Sequence, residues 1–188
     1  MTTETILSVF LGVGLAASVG FRVFVPLFAL SLVAHFNVWE LNDSWQWVGS
    51  LTAVITLGVA TIVEIFAYYI PYVDNLLDSI AIPLAAIAGT AVMVSTVADL
   101  SPVITWALAI IAGGGTAAAV AGTSSVTRLA STTTTAGFAN PVVATIETGT
   151  SIIMTIISIF IPVLAILLVL IILLVIFRLY KKFKSSKA

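Results

Sequence analysis

The chain has 188 residues, 61% of them hydrophobic and only 8% charged, with a mean hydropathy of +1.24 and a formal charge of −1. Soluble globular domains carry about a quarter charged residues, so this composition belongs to a membrane protein. No cysteine and a single histidine, His35, exclude thiol catalysis, disulfides, thiolate-bound metal and a histidine-rich metal site.

The N-terminal "MTTETI" carries Glu4 and no basic residue, and the apolar run after it is too long for a signal peptide. It is expected to be retained. A helix needs about 20 mostly apolar residues to cross a bilayer. Such runs occur at 5–35, 46–70, 79–98, 102–122, 141–157 and 159–180, predicting an all-α, polytopic membrane helix bundle of about six spans. The first run is too long for one straight helix, since at 1.5 Å per residue it would reach roughly 46 Å. It is interrupted by Gly20, Arg22 and Pro26.

The loop "FNVWELNDSWQWVGS" (36–50) has no Lys or Arg and holds Trp39, Trp45 and Trp47, which suits an external membrane interface. Glu64 falls inside the next apolar run. "PYVDNLLD" then places Asp74 and Asp78 on one helical face, a spacing able to hold a hard cation, or else simply a solvated helix start. The fourth run passes through Gly113-Gly114-Gly115 into "TSSVTRLASTTTTAGFANP". It reads as a helix, a break carrying Arg128, and a polar half-helix or re-entrant piece over 123–140, ended by Gly137 and Asn140-Pro141. Its threonines, Thr132 and Thr135 among them, are expected to line a cavity and to bond back to helix carbonyls. An ordinary cytoplasmic loop is the other reading of this stretch.

Glu147 lies in the fifth run. The last run ends in "FRLYKKFKSSKA", the chain's only basic cluster, with Arg178, Lys181, Lys182, Lys184 and Lys187. The positive-inside rule puts this tail in the cytoplasm, and an even span count puts the N-terminus there too, in an inner (plasma) membrane. One basic cluster gives no second face to neutralise phosphates, so nucleic acid is not expected as a partner.

The halves share an order. "GVGLAASVG" (12–20) resembles "GGTAAAVAG" (114–122), Arg22 and Arg128 follow, then Glu64 and Glu147, then Pro83 and Pro162. Three spans per half predict a 3+3 inverted repeat with a broken first helix in each copy: 1–100 and 101–180, with 181–188 as tail. Such repeats frame binding sites at the membrane midplane in transporters and channels. Arg22, Glu64, Arg128 and Glu147 each cost about 2–3 kcal/mol unpaired at the bilayer centre, so two Arg–Glu pairs facing the bundle interior are expected. They either lock the bundle or line a polar path, the latter favoured by arginines beside chain breaks.

No P-loop, HExxH or nucleophile–base pair is present, so neither an enzyme nor a cofactor is expected. "GFRVFVPL", a glutamate leading into "IPYVDNLLD", and "GFANPVVATIE" with a later proline resemble an uncharacterised bacterial and plant membrane family known only as a domain of unknown function. The resemblance covers roughly 5–175 and marks Arg22, Pro26, Glu64, Asp74, Asp78, Asn140, Pro141 and Glu147 as recurring polar features. It departs in the hydroxyl-rich region before Arg128 and at Thr148, where an acidic neighbour is expected. It implies a fold and no chemistry.

The function expected is passage of a small polar or anionic solute along Arg22, Pro26, Glu64, Arg128, Thr132, Thr135, Asn140 and Glu147. The alternatives are a lipid flippase or scramblase, and a structural or accessory membrane subunit. Partners are membrane lipids and the solute or headgroup, with self-association left open.

Overall fold

The structure, a computed structural model, describes residues 2–70, 73–98 and 100–185. Over those residues the chain is helical, with no strand. The α-helices are α1 (Thr3–Val19), α2 (Phe24–His35), α3 (Leu51–Ala67), α4 (Val73–Thr96), α5 (Pro102–Leu108), α6 (Gly115–Thr135), α7 (Asn140–Phe160) and α8 (Pro162–Ser185). A 3-10 segment, Asp43–Gly49, precedes α3, and a π segment, Ala109–Gly114, joins α5 to α6. Helix starts carry the signals that orphan N–H groups call for. The Thr2 hydroxyl accepts from Thr5 N at 3.1 Å and the Ser50 hydroxyl from Ala53 N at 3.2 Å, while Pro102 and Pro162 open their helices, where no N–H is needed.

Four helical stretches are long and apolar enough to cross a membrane: Val73–Thr96, Pro102–Thr135, Asn140–Phe160 and Pro162–Lys182. A fifth arises if the 3-10 segment and α3, bent by 65°, count as one. The run 5–35 is not among them, because it divides into two shorter apolar helices, α1 and α2. Their contacts show why. Ala98 N donates to Ser8 Oγ (3.2 Å) near the start of α1, while Trp39 Nε1, beyond the end of α2, donates to Ile159 O (3.1 Å) at the end of α7. Asn42 N likewise donates to Ser95 O, at the same end of α4 as Ala98. The pair α1–α2 therefore forms a hairpin whose two ends lie at one end of the bundle and whose break points into its interior.

Helix α1 is the axis of the core. Leu11, Leu15, Ala16 and Ala17 are fully buried against α4, α7 and α8, a packing that small residues make possible where lipid supplies no hydrophobic drive. At α4 and the π segment the approach is backbone to backbone. A Cβ on Gly89 would meet Gly113 O at 2.8 Å, and one on Gly113 would meet Gly89 O at 2.6 Å.

The break expected at Gly113–Gly115 is absent. Pro102–Thr135 runs as one helical stretch of 34 residues, and Arg128 sits within it. The glycines widen one turn into π geometry and admit α4 instead of ending the helix. The segment 123–135 is accordingly the polar end of α6. It closes at Ala136 (φ 52°) and Gly137 (φ 85°), a left-handed pair that turns the chain into α7. The basic residues Arg178, Lys181 and Lys182 continue α8, and Lys187 lies outside the described residues.

Candidate functional site

At the hairpin break the chain leaves helix at Gly20 and re-enters it at Phe24, leaving the first N–H groups of α2 unpaired within their own helix. Glu64 of α3 fills that gap. Its Oε1 accepts from Val23 N (2.8 Å) and its Oε2 from Phe24 N (2.9 Å). A carboxylate at a helix N-terminus meets both the orphan donors and the positive end of the dipole. Pro26 sits buried in the first turn of α2, where its missing N–H does no harm. Glu64 is thus a cap, and among the described residues it forms no ion pair within 4.0 Å.

Arg22, in the break, reaches across to α7. Nη1 donates to Glu147 Oε2 (3.0 Å) and to Phe21 O (2.9 Å), Nη2 to Ala144 O (2.9 Å), and Nε to Thr148 Oγ1 (3.0 Å). Every nitrogen of this guanidinium is bonded. The position where an acidic neighbour was expected holds a hydroxyl, which Arg22 uses.

Arg128 of α6 converges on the same oxygen. Its Nε donates to Glu147 Oε2 at 3.1 Å, and its Nη2 makes a short ion pair with that atom. Asp78 Oδ1 lies 3.6 Å from Arg128 Nε, outside hydrogen-bond distance, and Nη1 has no partner. Both guanidinium carbons lie over the Tyr68 ring, at 4.0 Å for Arg22 and 4.3 Å for Arg128, within cation–π range. Arg22 and Arg128 are each 2% exposed and Glu147 5%, so the cluster is shut away from both water and lipid. Two Arg–Glu pairs were expected. The structure holds instead one balanced quartet, Arg22, Arg128, Glu147 and Asp78, stacked on an aromatic ring.

Beyond the quartet, toward the starts of α4 and α7, Asn140 Nδ2 donates to Asp74 Oδ2 (2.9 Å) and to Thr132 Oγ1 (3.1 Å), pinning the turn after α6 onto α4. Asp74 Oδ1 accepts from Asn75 N at 2.8 Å. Asp74 and Asp78 thus serve different partners, Asn140 and Arg128. No group of three or more His, Asp or Glu side chains placed to hold a metal occurs among the described residues. An open cavity of about 470 Å³ is lined here by Tyr68, Asp74, Thr132, Gly137 and Asn140. Thr132 faces it. The other hydroxyls largely bond back along α6, Thr133 to Leu129 O (3.0 Å), Thr134 to Ala130 O (2.7 Å) and Thr135 to Ser131 O (2.7 Å), which is how a polar run tolerates this position.

A second cavity, about 460 Å³, opens at the far end of α2 beside His35, Trp39, Glu40 and Gln46. Between the two lie the break and the buried side chains Leu30 and Ser31 of α2.

Two participants were missed from sequence. Tyr68, the C-cap of α3, stands one turn after Glu64, so an aromatic at i+4 from an acid within an apolar run was the available signal. Thr148, read only as a missing acid, is the other.

Several helices long and apolar enough to span, with a buried ionic core at the α1–α2 break, mark a multi-pass helical membrane protein. Residues 9–182 match the family described as Domain of unknown function (DUF4126), and the chain belongs to that family. No curated protein and no solved structure matches it.

Proposed function

We propose that the protein passes a small polar solute across its membrane, with Arg128 and Glu147 as the contact groups and the cavity at Tyr68, Asp74 and Asn140 as the vestibule. The observation that carries this reading is the ionic quartet, three of whose members are buried. Arg22, Arg128 and Glu147 are buried, Asp78 is partly buried beside Arg128, and the Tyr68 ring under both arginines also lines the open cavity. Ionisable side chains within membrane segments are costly and commonly mark substrate or ion pathways. The bonding divides the labour. Arg22, bonded through every nitrogen, anchors the break to α7, Glu64 caps α2, and Arg128 with Glu147 keeps free hydrogen-bonding capacity.

The basic end of α8 is assigned to the cytoplasm, in a multi-pass inner-membrane arrangement. We read α1–α2 as a hairpin that does not cross, which gives five crossings in place of the six expected and an N-terminal end opposite that tail. Single cysteines at Thr2 and Asn42 are then expected to label from one side and a cysteine at Lys182 from the other. Labelling at Thr2 and Lys182 from the same side would restore six crossings. The halves are read as degenerate inverted copies, with Glu64 and Glu147 in corresponding places and the break kept in the first copy alone.

The reading is tested in proteoliposomes. Solute flux is expected from the native chain and not from a Glu147→Gln variant that remains monodisperse and folded. Movement of a labelled phospholipid headgroup without solute flux would replace this reading with lipid handling. Absence of both would leave the ions a packing role, as in an accessory subunit.

A further inference from the structure

Six buried side-chain polar atoms lack a hydrogen-bond partner among the described residues, and four of them fall together: Arg128 Nη1, Ser131 Oγ, Asn140 Oδ1 and Glu147 Oε1. Arg128 and Ser131 are one turn apart on α6. Asn140 and Glu147 are two turns apart on one face of α7. Two bonds tie the helices together here, Arg128 to Glu147 at one level and Thr132 to Asn140 at the next. The parent residues are 2%, 8%, 4% and 5% exposed. Buried polar groups are nearly always bonded, so a run of four unbonded ones along one seam calls for an occupant. The seam also meets the open cavity, because Asn140 belongs to both.

The kind of atom left over at each position restricts that occupant. Arg128 Nη1 only donates, Glu147 Oε1 and Asn140 Oδ1 accept, and Ser131 Oγ does either. An inorganic anion such as nitrate or chloride only accepts. It would satisfy Arg128, leave both acceptors bare, and lie against Glu147 with Asp78 and Asp74 close by. A metal cation would satisfy the acceptors, leave the arginine donor bare, and face two guanidinium groups. Only a molecule that donates and accepts without net charge fits all four.

We infer that the α6–α7 seam is a binding path for small neutral donor–acceptor solutes, the class of urea, simple amides and short polyols. This deepens the transport reading and rests on it. It also sets aside the anionic solute that the two arginines suggested in sequence: their charge is already balanced by Glu147 and Asp78, and the donor that remains sits beside bare acceptors. The lone spare arginine nitrogen orients the occupant's oxygen, while Glu147 and Asn140 take its N–H or O–H groups.

The test uses the full chain in liposomes and three probes: urea, glycerol and potassium nitrate. Stopped-flow light scattering follows the neutral solutes, and a potential-sensitive dye follows nitrate. Urea or glycerol is expected to equilibrate faster than in protein-free vesicles while nitrate stays at background. Ser131→Ala removes a hydroxyl that bonds nothing in the structure, so the fold is retained. Neutral flux should nevertheless fall about threefold to tenfold, the effect of losing one neutral hydrogen bond in the passing state. Asn140→Leu is the second variant and should lower flux in the same direction.

Nitrate flux with urea and glycerol at background would overturn the neutral class and leave the transport reading standing. No flux of any probe would overturn both, and the seam would then hold fixed structural water only. Neutral flux indifferent to both substitutions would remove the seam from the path.

Discussion

Replacing Glu147 by leucine should expose the unequal bonding of the two arginines. Glu147 Oε2 accepts from Arg22 Nη1, Arg128 Nε and Arg128 Nη2. Removing one member of a buried ion pair costs about 3–5 kcal/mol, mostly as the penalty on the charge left behind. Without Glu147, Arg22 still donates to Phe21 O, Ala144 O and Thr148 Oγ1, whereas Arg128 keeps no hydrogen bond, only Asp78 at 3.6 Å and the face of Tyr68. The penalty therefore falls on Arg128. For a chain of this length, 3–5 kcal/mol corresponds to a melting temperature lower by about 6–20 °C. Adding Arg128→Met to Glu147→Leu should recover most of that loss, since apolar residues of similar volume commonly replace a buried pair at little cost. Adding Arg22→Met instead should recover little. Thermal unfolding in one detergent, with reversible unfolding in mixed micelles, measures both. A loss under about 1 kcal/mol for Glu147→Leu, or rescue by Arg22→Met in place of Arg128→Met, would refute the assignment of bonds.

The same bookkeeping extends to the break and to the helix contacts. Glu64→Leu removes two charge-assisted bonds to the start of α2, each worth about 1.5–3 kcal/mol, so amide exchange at Val23 and Phe24 should rise at least about tenfold. Unchanged exchange there would mean that Glu64 is not the cap. Gly89→Ala drives a Cβ to 2.6 Å from the Ala117 side chain and 2.8 Å from Gly113 O, and should destabilise by about 1–3 kcal/mol as α4 and α6 part. Gly115→Ala meets nothing within 4 Å and should leave stability equal or raise it by up to about 1 kcal/mol through helix propensity. Equal thermal shifts for these two alanines would contradict the packing described.

Local chemistry made much of this legible in the sequence, and long-range pairing did not. Gly20, Arg22 and Pro26 in one apolar run announced a broken helix, and the break is there. That the second piece turns back could not be read, because it depends on Ser8 meeting Ala98 and Trp39 meeting Ile159, contacts far apart in sequence. The glycine triplet misled for a physical reason. Glycine permits a break and also permits close approach, and only the presence of Gly89 across the interface decides which is used. Arg22, Arg128 and Glu147 are buried and Glu64 half-buried, but their partners were paired by symmetry. A repeat argument gives each arginine its own glutamate. The structure gives both to Glu147 and leaves Glu64 to the backbone, an option visible in principle because a helix restarting at Phe24 needs acceptors for its first N–H groups.

That reassignment bears on where the molecule can move. The break is over-determined: Glu64 holds Val23 and Phe24, Arg22 holds Ala144, Glu147 and Thr148, and Thr61 Oγ1 bonds Phe24 O at 3.0 Å. A hinge there would have to break several buried bonds at once. Beyond the Arg128–Glu147 pair, the outer α6–α7 end is held by the Asn140 bridge to Asp74 and Thr132, by Ala139 N to Thr135 Oγ1, and by a two-residue left-handed turn. Opening that end would bring Arg128 and Glu147 toward the cavity at Tyr68 while α1, α2 and the anchor on Arg22 stay fixed. The unpaired atoms of the seam lie at the α6–α7 end, and the arginine with every nitrogen bonded lies at the break, so under the proposed transport reading the break is the scaffold and the seam the path.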